Sequence, residues 1–94
     1  MIKSFRSKPL QRFWERGDVS GVRPDWRARV KRQLFVLHTA SRIEMIDLPG
    51  YALHRLMGDQ KGRYSILVSR NWRITFMFED GDMFDIDLED YHGH

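Results

Sequence analysis

The sequence predicts an α+β fold in which a short N-terminal strand and two helices pack on one face of an antiparallel sheet. Three observations lead to this prediction. Apolar residues recur at helical spacing in the first half of the chain, they alternate with polar residues from Tyr51 onward, and turn residues separate the alternating runs. Because 94 residues suffice for one apolar core, we expect a single domain over residues 1–94.

The N-terminal third of the chain predicts a strand and two helices. Residues 1–5 have the pattern of a short strand, and Pro9 and Gly17 mark the start and end of the first helix. The second helix begins near Asp25, after a connection over residues 17–24. The apolar stripes of the two helices are Leu10, Phe13 and Trp14, and then Trp26, Val30, Leu34 and Leu37.

Three alternating runs predict an antiparallel meander. Their inward residues are Tyr64, Ile66 and Val68, then Trp72, Ile74, Phe76 and Phe78, then Phe84, Ile86 and Leu88. Turns are expected between Gly58 and Gly62, over residues 69–71, and at Asp80 and Gly81. The same alternation places His54 and four further residues on the exposed face away from the helices, namely Arg63, Ser65, Arg73 and Thr75.

The charge is unevenly distributed along the chain. Residues 1–33 hold ten Lys or Arg and three Asp or Glu, whereas residues 79–94 hold seven Asp or Glu and no Lys or Arg. A basic surface of this kind either binds a polyanion or pairs with the acidic end of the same molecule, and the pattern leaves both open. The basic residues of the second helix, Arg27, Arg29, Lys31 and Arg32, are likewise either a solvated face or a nucleic-acid contact.

The composition also limits the compartment. There is no cysteine, no apolar stretch of the roughly 20 residues needed to cross a bilayer, and no apolar segment after the basic residues at the N-terminus. We therefore expect a cytoplasmic protein with no disulfide framework and no membrane contact.

Residues 89–92 place carboxylates, a phenol and an imidazole in succession, and His54 supplies a second imidazole. Imidazoles exchange protons near neutral pH, and arginines bind phosphate with two parallel donors. Cleavage of RNA needs these groups, because the ribose 2′-OH serves as the nucleophile and the protein only moves protons and stabilises charge. We expect His54 and His92 to transfer protons, Asp90 to orient an imidazole, and Tyr91 to bind a base or the phosphate.

Arg73 and Arg63 are the expected phosphate ligands. Alternative interpretations remain for several of these residues: a half-buried structural His54, an Arg73 stacked on Trp72, and a frayed polar C-terminus. The acidic residues after Glu79 have no recognisable metal-ligand spacing, so we expect no metal and no cofactor.

Several motifs together resemble the HigB toxins (plasmid maintenance system killer proteins) of the RelE superfamily, essentially from end to end. The matching segments are Met1 to Phe5, Leu53 to Asp59, Gly62 to Ile66, Asn71 to Phe76 and Glu89 to His92. The resemblance implies a RelE-like fold and a toxin of a type II toxin–antitoxin system. It further implies metal-independent cleavage of messenger RNA in the A site of the 30S ribosomal subunit, and inhibition by a HigA-type helix-turn-helix antitoxin, through which alone operator DNA is bound.

Carried over position by position, the resemblance implies that His54, Asp90, Tyr91 and His92 form the catalytic set. It implies that Arg73 contacts the phosphate, and that Asn71 contacts the A-site codon.

The chain departs from the family pattern at two positions. The usual Leu-His-Pro-Leu-Lys-Gly-Asp has Arg55 in place of the proline and Met57 in place of the lysine. Loss of that lysine removes a charged donor unless Arg55 or Lys61 compensates, although alternation should turn Arg55 away from His54. A catalytically weakened or silent RNA- or ribosome-binding module is therefore the alternative function, and a corepressor that acts only through its partner is a third.

Overall fold

A computed structural model of the protein describes residues 1–91, and it has the predicted α+β architecture. The helices are α1, Lys8–Arg16, and α2, Arg27–Thr39. The strands are β1, His54–Arg55; β2, Arg63–Ser69; β3, Trp72–Glu79; and β4, Asp82–Asp90. They form one antiparallel sheet in the order β1-β2-β3-β4. The prediction of two helices on an antiparallel sheet is confirmed.

Local signals in the sequence set the ends of α1. The Ser7 side chain accepts a hydrogen bond from the backbone N–H of Leu10 at 3.2 Å, which caps the first turn. Gly17 adopts φ 70° and its N–H donates to the carbonyl of Phe13, so the helix ends where a left-handed residue is required. Leu10 and Phe13 are buried against the sheet layer, as predicted.

The second helix follows a 3₁₀ turn, Pro24–Trp26. Val30, Leu34 and Leu37 are fully buried on its inner face. They pack in one core with Ile66, Val68, Ile74, Phe76, Met83 and Ile86 of the sheet. This core holds the strands against the helices, and it thereby fixes the positions of the polar side chains on the opposite face of the sheet.

The N-terminal residues pair with β4 at isolated positions and not along a continuous strand. Ile2 and Phe5 form isolated parallel bridges with Met83 and Ile86, respectively. Ser4 strengthens this contact, because its hydroxyl accepts a hydrogen bond from the backbone N–H of Asp85 at 2.8 Å. The segment therefore covers the outer edge of β4 over residues 83–86.

The prediction that the Phe84 side chain of β4 points toward the core is wrong. The pairing of β3 with β4 shifts between Thr75 and Met77, and Asp85 has a positive φ of 52°. This bulge reverses the alternation, so that Met83 is buried with Ile86 while Phe84 lies opposite Met77, outside the core cluster. A bulge inserts one unpaired residue, which strict alternation cannot anticipate.

Within residues 1–91, no helix combines the length and apolar character that a membrane span requires.

Candidate active site

Several predicted site residues meet in a cleft at one end of the polar face, where β1, the β2–β3 turn and the end of β4 converge. Its volume is about 390 Å³. We call it the central cleft; it is lined by His54, Leu56, Ser65, Arg70, Asn71, Arg73 and Tyr91. The chain thus brings an imidazole, two guanidinium groups, an amide and a phenol together from three separate segments.

Arg73 is fixed at the floor of the central cleft. Its Nε donates to the hydroxyl of Ser65 at 2.7 Å, and its Nη2 donates to the carbonyl oxygen of Ala52. Partial burial lowers the pKa of Arg73, while nearby Tyr91 acts in the opposite direction, and the guanidinium stays charged at neutral pH. Among the described residues Nη1 of Arg73 has no hydrogen-bond acceptor, so this edge of the guanidinium can bind an anion.

The stacking alternative for Arg73 is wrong. Trp72 lies on the opposite face of β3, where its ring packs against Trp26 with the centroids 5.4 Å apart.

His54 lies on the rim of the same cleft and is exposed to solvent. It is the Cα partner of Ser65, which in turn pairs with Thr75, so the three side chains form a row across the polar face. The predicted outward orientation of His54 is confirmed, and the half-buried alternative is wrong. An exposed imidazole beside a fixed guanidinium can transfer a proton to or from a bound phosphodiester.

Tyr91 closes the cleft from the end of β4. Its backbone N–H donates to the carbonyl oxygen of Asn71 at 2.8 Å, which joins the C-terminal end of the sheet to the β2–β3 turn. Burial, and then the charge of Glu89, raise the pKa of Tyr91 above 10.0, against the opposing effect of Arg63 and Arg73. The phenol is therefore neutral at physiological pH and can donate a hydrogen bond.

A second cleft shares Leu56 and Tyr91 with the first. We call it the side cleft; its volume is about 430 Å³ and its other lining residues are Met57, Asp59, Gln60, Glu89 and Asp90. Asp90 is exposed. Its Cα pairs with that of Trp72, so the alternation along β4 assigns Asp90 to the face of the sheet that the helices cover. Asp90 is thus adjacent to Tyr91 but lies at the edge of the sheet, outside the central cleft.

The exposed position expected for Arg63 is wrong. Arg63 points away from the helices but is only 4% exposed, because its Nη2 donates to the hydroxyl of Thr75 and to the carbonyl oxygen of Asp85, both at 2.8 Å. Burial lowers the pKa of Arg63, and the charge of Arg6 adds to this effect. The guanidinium is held inside the protein by the bulged part of β4, and it lines neither cleft.

The remaining predicted residues lie elsewhere. Lys61 is exposed next to a 3₁₀ turn, Gly58–Gln60, and lines neither cleft. His92, the second predicted proton carrier, lies outside the described residues. Arg55 is over the ring of Tyr64, with 5.6 Å between the guanidinium carbon and the ring centroid, and so faces away from His54. Met57 is 77% exposed on the side cleft.

Sequence reasoning assigned no individual role to four residues of this region: Ser65, the anchor of Arg73; Arg70, a second cation in the central cleft; and Gln60 and Glu89 in the side cleft. Glu89 accepts hydrogen bonds from Gln60 at 3.2 Å and from Thr75. Strand alternation contained a signal for Glu89, since it is the Cα partner of Arg73 on the polar face. Among residues 1–91, no three histidine, aspartate or glutamate side chains are grouped so that they could hold a metal ion.

Comparison with known proteins defines the class to which this fold and cleft correspond. A family model described as the RelE-like toxin of type II toxin–antitoxin system HigB matches residues 3–92. The chain belongs to this HigB-like toxin family, as its motifs predicted. It is 44% identical over 92 residues to Endoribonuclease HigB of Proteus vulgaris, and the alignment covers 98% of this chain and 100% of that relative. As a toxin of a type II system, it has an antitoxin as its partner.

Proposed function

We propose that this toxin is an endoribonuclease that cleaves messenger RNA in the ribosomal A site, with the central cleft as its phosphate-binding site. The observation that carries the proposal is the convergence of Arg73, His54 and Tyr91 around one cleft of about 390 Å³. The endoribonuclease relative, which aligns over its whole length, supports RNA cleavage by this chain.

The proposed reaction is metal-independent transfer of the phosphodiester to the neighbouring ribose oxygen. One imidazole removes the 2′-OH proton, the 2′ oxygen attacks phosphorus, and the P–O5′ bond breaks as the 5′ oxygen receives a proton. His54 and His92 are the two proposed proton carriers, with the order of their roles open. The Nη1 edge of Arg73 stabilises the charge that develops on the phosphoryl oxygens, and the neutral phenol of Tyr91 donates a further hydrogen bond.

The other predicted residues have supporting roles in this proposal. Asp90 orients one of the two imidazoles, and Asn71 contacts the A-site codon from the β2–β3 turn. Lys61, exposed outside both clefts, binds the RNA backbone at the periphery. Arg63 is not proposed as an RNA ligand, because its guanidinium is buried on Thr75 and Asp85.

Arg70 is a second cation in the central cleft, whereas Met57 lines the side cleft. Arg70 is exposed, has a positive φ of 53° in the β2–β3 turn, and lines the central cleft beside Asn71 and Arg73. The two guanidinium groups therefore flank the cleft without the lysine that the family pattern has at position 57.

The proposed partners follow from membership of the family. The antitoxin is of the HigA type and carries a helix-turn-helix, through which alone the complex binds operator DNA. The substrate is messenger RNA on the 30S A site, which places the reaction in the cytoplasm.

The test is cleavage of a defined message on programmed ribosomes, with mapping of the new 5′ ends. We expect cleavage by the wild-type protein in buffer that contains only the Mg²⁺ that the ribosomes need, and loss of cleavage in His54→Ala and Arg73→Ala. Arg42→Ala, at an exposed arginine outside both clefts, is the matched control and should cleave normally. Folded wild-type protein that binds ribosomes without producing new ends would refute the proposal.

That last outcome defines the alternative function, a silent RNA- or ribosome-binding module. The exposed Met57 in place of the family lysine favours it, because a thioether cannot donate a charged hydrogen bond to the scissile phosphate.

A further inference from the structure

Another cavity lies beside the central cleft and shares one residue with it. We call it the turn pocket; its volume is about 400 Å³, and it is lined by Arg23, Asp25, Trp26, Ser69, Arg70 and Trp72. Arg70 also lines the central cleft, so the two cavities meet at the β2–β3 turn. The proposed cleavage reaction uses the central cleft and gives the rest of the turn pocket no role.

Two aromatic rings and a guanidinium form one wall of the turn pocket. The rings of Trp26 and Trp72 pack with their centroids 5.4 Å apart and their planes tilted by 53°. The guanidinium carbon of Arg23 lies 4.7 Å from the centroid of the Trp26 ring. Trp26 is buried beneath the other two, whereas Trp72 is half-buried and Arg23 is exposed. The wall therefore presents an indole and a planar cation to solvent, and the bases of unpaired RNA stack on both kinds of surface.

The charges of the turn pocket fit a phosphate that joins two nucleotides. Arg23 pairs with Asp25, with 3.4 Å between Nε and the carboxylate, so the charge of Arg23 is largely balanced within the pocket. Arg70 is exposed and lies between the two cavities. A phosphate bound to Arg70 would have one of its nucleotides in the central cleft and the other in the turn pocket.

We propose that the turn pocket binds the message nucleotide that adjoins the one in the central cleft. Its base stacks against Trp72 and Arg23, and the phosphate that links the two nucleotides binds Arg70. This proposal rests on the proposed function, because it takes messenger RNA as the ligand of the central cleft. Stacking needs a base but no particular one, since every base has an aromatic face, so the pocket adds affinity without selecting a sequence.

An unpaired nucleotide of ribosomal RNA has the same chemistry as a nucleotide of the message. The continuity of the turn pocket with the central cleft favours the message, because a strand that enters one cavity reaches the other past Arg70. The two sources differ in one respect: only a message nucleotide can be changed without altering the ribosome.

The variants change the stacking surface of the pocket. Trp72→Leu removes the aromatic ring, Trp72→Phe keeps one, and Arg23→Ala removes the planar cation at an exposed position. The matched controls are Trp14→Leu, at a half-buried tryptophan of α1 that packs on His38, and Arg42→Ala, at an exposed arginine. Both controls lie outside the turn pocket. Thermal unfolding of each protein verifies the fold, and if Trp72→Leu does not fold, Arg23→Ala decides the result.

Binding to programmed ribosomes is measured with messages that cannot be cut. Each message has 2′-deoxyribose throughout the A-site codon, which removes the nucleophile of the proposed reaction. One abasic nucleotide is moved along the A-site codon and the codon that follows it. We expect one abasic position to weaken binding about 10-fold in wild type, in Trp72→Phe and in both controls.

Trp72→Leu and Arg23→Ala should bind the intact message about 10-fold more weakly than wild type, and the same abasic position should weaken them little further. The proposal is overturned if these two variants bind the intact message as tightly as wild type. It is also overturned if they bind every message more weakly by one constant factor, because the pocket then contacts ribosomal RNA. Wild type that binds these messages but does not cut an unmodified one would refute the proposed function alone.

Discussion

The hydroxyl of Thr75 donates a hydrogen bond to the carboxylate of Glu89 across the β3–β4 pair. The same hydroxyl accepts a bond from the buried guanidinium of Arg63, and Glu89 also accepts one from Gln60. Thr75 is fully buried, so one side chain connects a buried cation to a carboxylate in the side cleft. The network ties the 3₁₀ turn before β2 to the strand that ends at the candidate site.

Removal of this hydroxyl should destabilise the fold. Thr75→Val keeps the shape of the side chain but leaves Arg63 Nη2 and Glu89 each with one hydrogen bond fewer. Arg63 already has two buried nitrogens, Nε and Nη1, without hydrogen-bond partners among the described residues. We expect a loss of about 1–3 kcal/mol in the free energy of unfolding, measured by urea denaturation.

Thr75→Ser is the control, because it retains the hydroxyl and removes only a methyl group. It should lose clearly less stability than Thr75→Val. Equal losses in the two variants would mean that packing, and not the hydrogen-bond network, accounts for the effect.

The bulge at Asp85 makes a separate prediction about the core. Met83 is fully buried, whereas Phe84 is half-buried outside the core cluster. We expect Met83→Ala to cost about 2–5 kcal/mol of unfolding free energy, and Phe84→Ala to cost less despite its larger side chain. The denaturation midpoints of the two variants test this prediction. A larger loss of stability in Phe84→Ala than in Met83→Ala would mean that Phe84 faces the core, as the strict alternation predicts.

The difference between these two residues shows where sequence reasoning works and where it fails. Periodicity correctly predicted α1, α2 and the inward positions of β2 and β3, because the apolar stripe keeps one repeat there, even where the pairing of β2 with β3 shifts between Leu67 and Ser69. Phe84 was misplaced because one residue in a left-handed conformation changes the phase of β4, and an aspartate at that position looks like any other exposed strand residue.

The candidate site was predictable in part for the same reason. His54 and Arg73 were correctly placed on one face by alternation. Arg63 also follows the alternation, but its burial depends on contacts with β4 that require the three-dimensional structure. Arg70 was missed because its place in the cleft follows from the geometry of the β2–β3 turn, which spacing does not encode.

The raised pKa of Tyr91 predicts how stability depends on pH. The phenol keeps its proton in the folded protein at a pH where an unfolded tyrosine has lost it. The resulting stabilisation is fully present below about pH 10 and declines as the pH rises through the folded-state value. Wild type should therefore lose stability more steeply than Tyr91→Phe between about pH 9 and 11, as measured by urea denaturation. Parallel curves for the two proteins would show that Tyr91 has an ordinary pKa.

Arg73 should not be replaceable by lysine. Arg73→Lys keeps the charge, but one ammonium group cannot bind Ser65 and the carbonyl of Ala52 while also presenting a donor to phosphate. We expect the rate of cleavage on programmed ribosomes to fall about 10- to 100-fold, which is the effect expected from the loss of one charge-assisted hydrogen bond. Arg42→Lys, the same exchange at an exposed position outside both clefts, should have no effect. Full activity of Arg73→Lys would mean that charge alone, and not the fixed guanidinium, is needed.

Restoring the family lysine at position 57 should raise the rate of cleavage. Met57 is 77% exposed on the side cleft next to Tyr91, so Met57→Lys adds a charged donor beside the candidate site with little change in packing. A charge-assisted hydrogen bond to the scissile phosphate is worth about 1.5–3 kcal/mol, which corresponds to an increase of roughly 10- to 100-fold in single-turnover cleavage. Met57→Gln, of similar length but neutral, should leave the rate near that of wild type. If Met57→Lys and Met57→Gln cleave at the same rate, then a cation at position 57 does not contact the scissile phosphate. In that case Arg70 is the second cation of the site, because it lines the central cleft, and Arg70→Ala should lower the rate of cleavage more than either substitution at position 57 changes it.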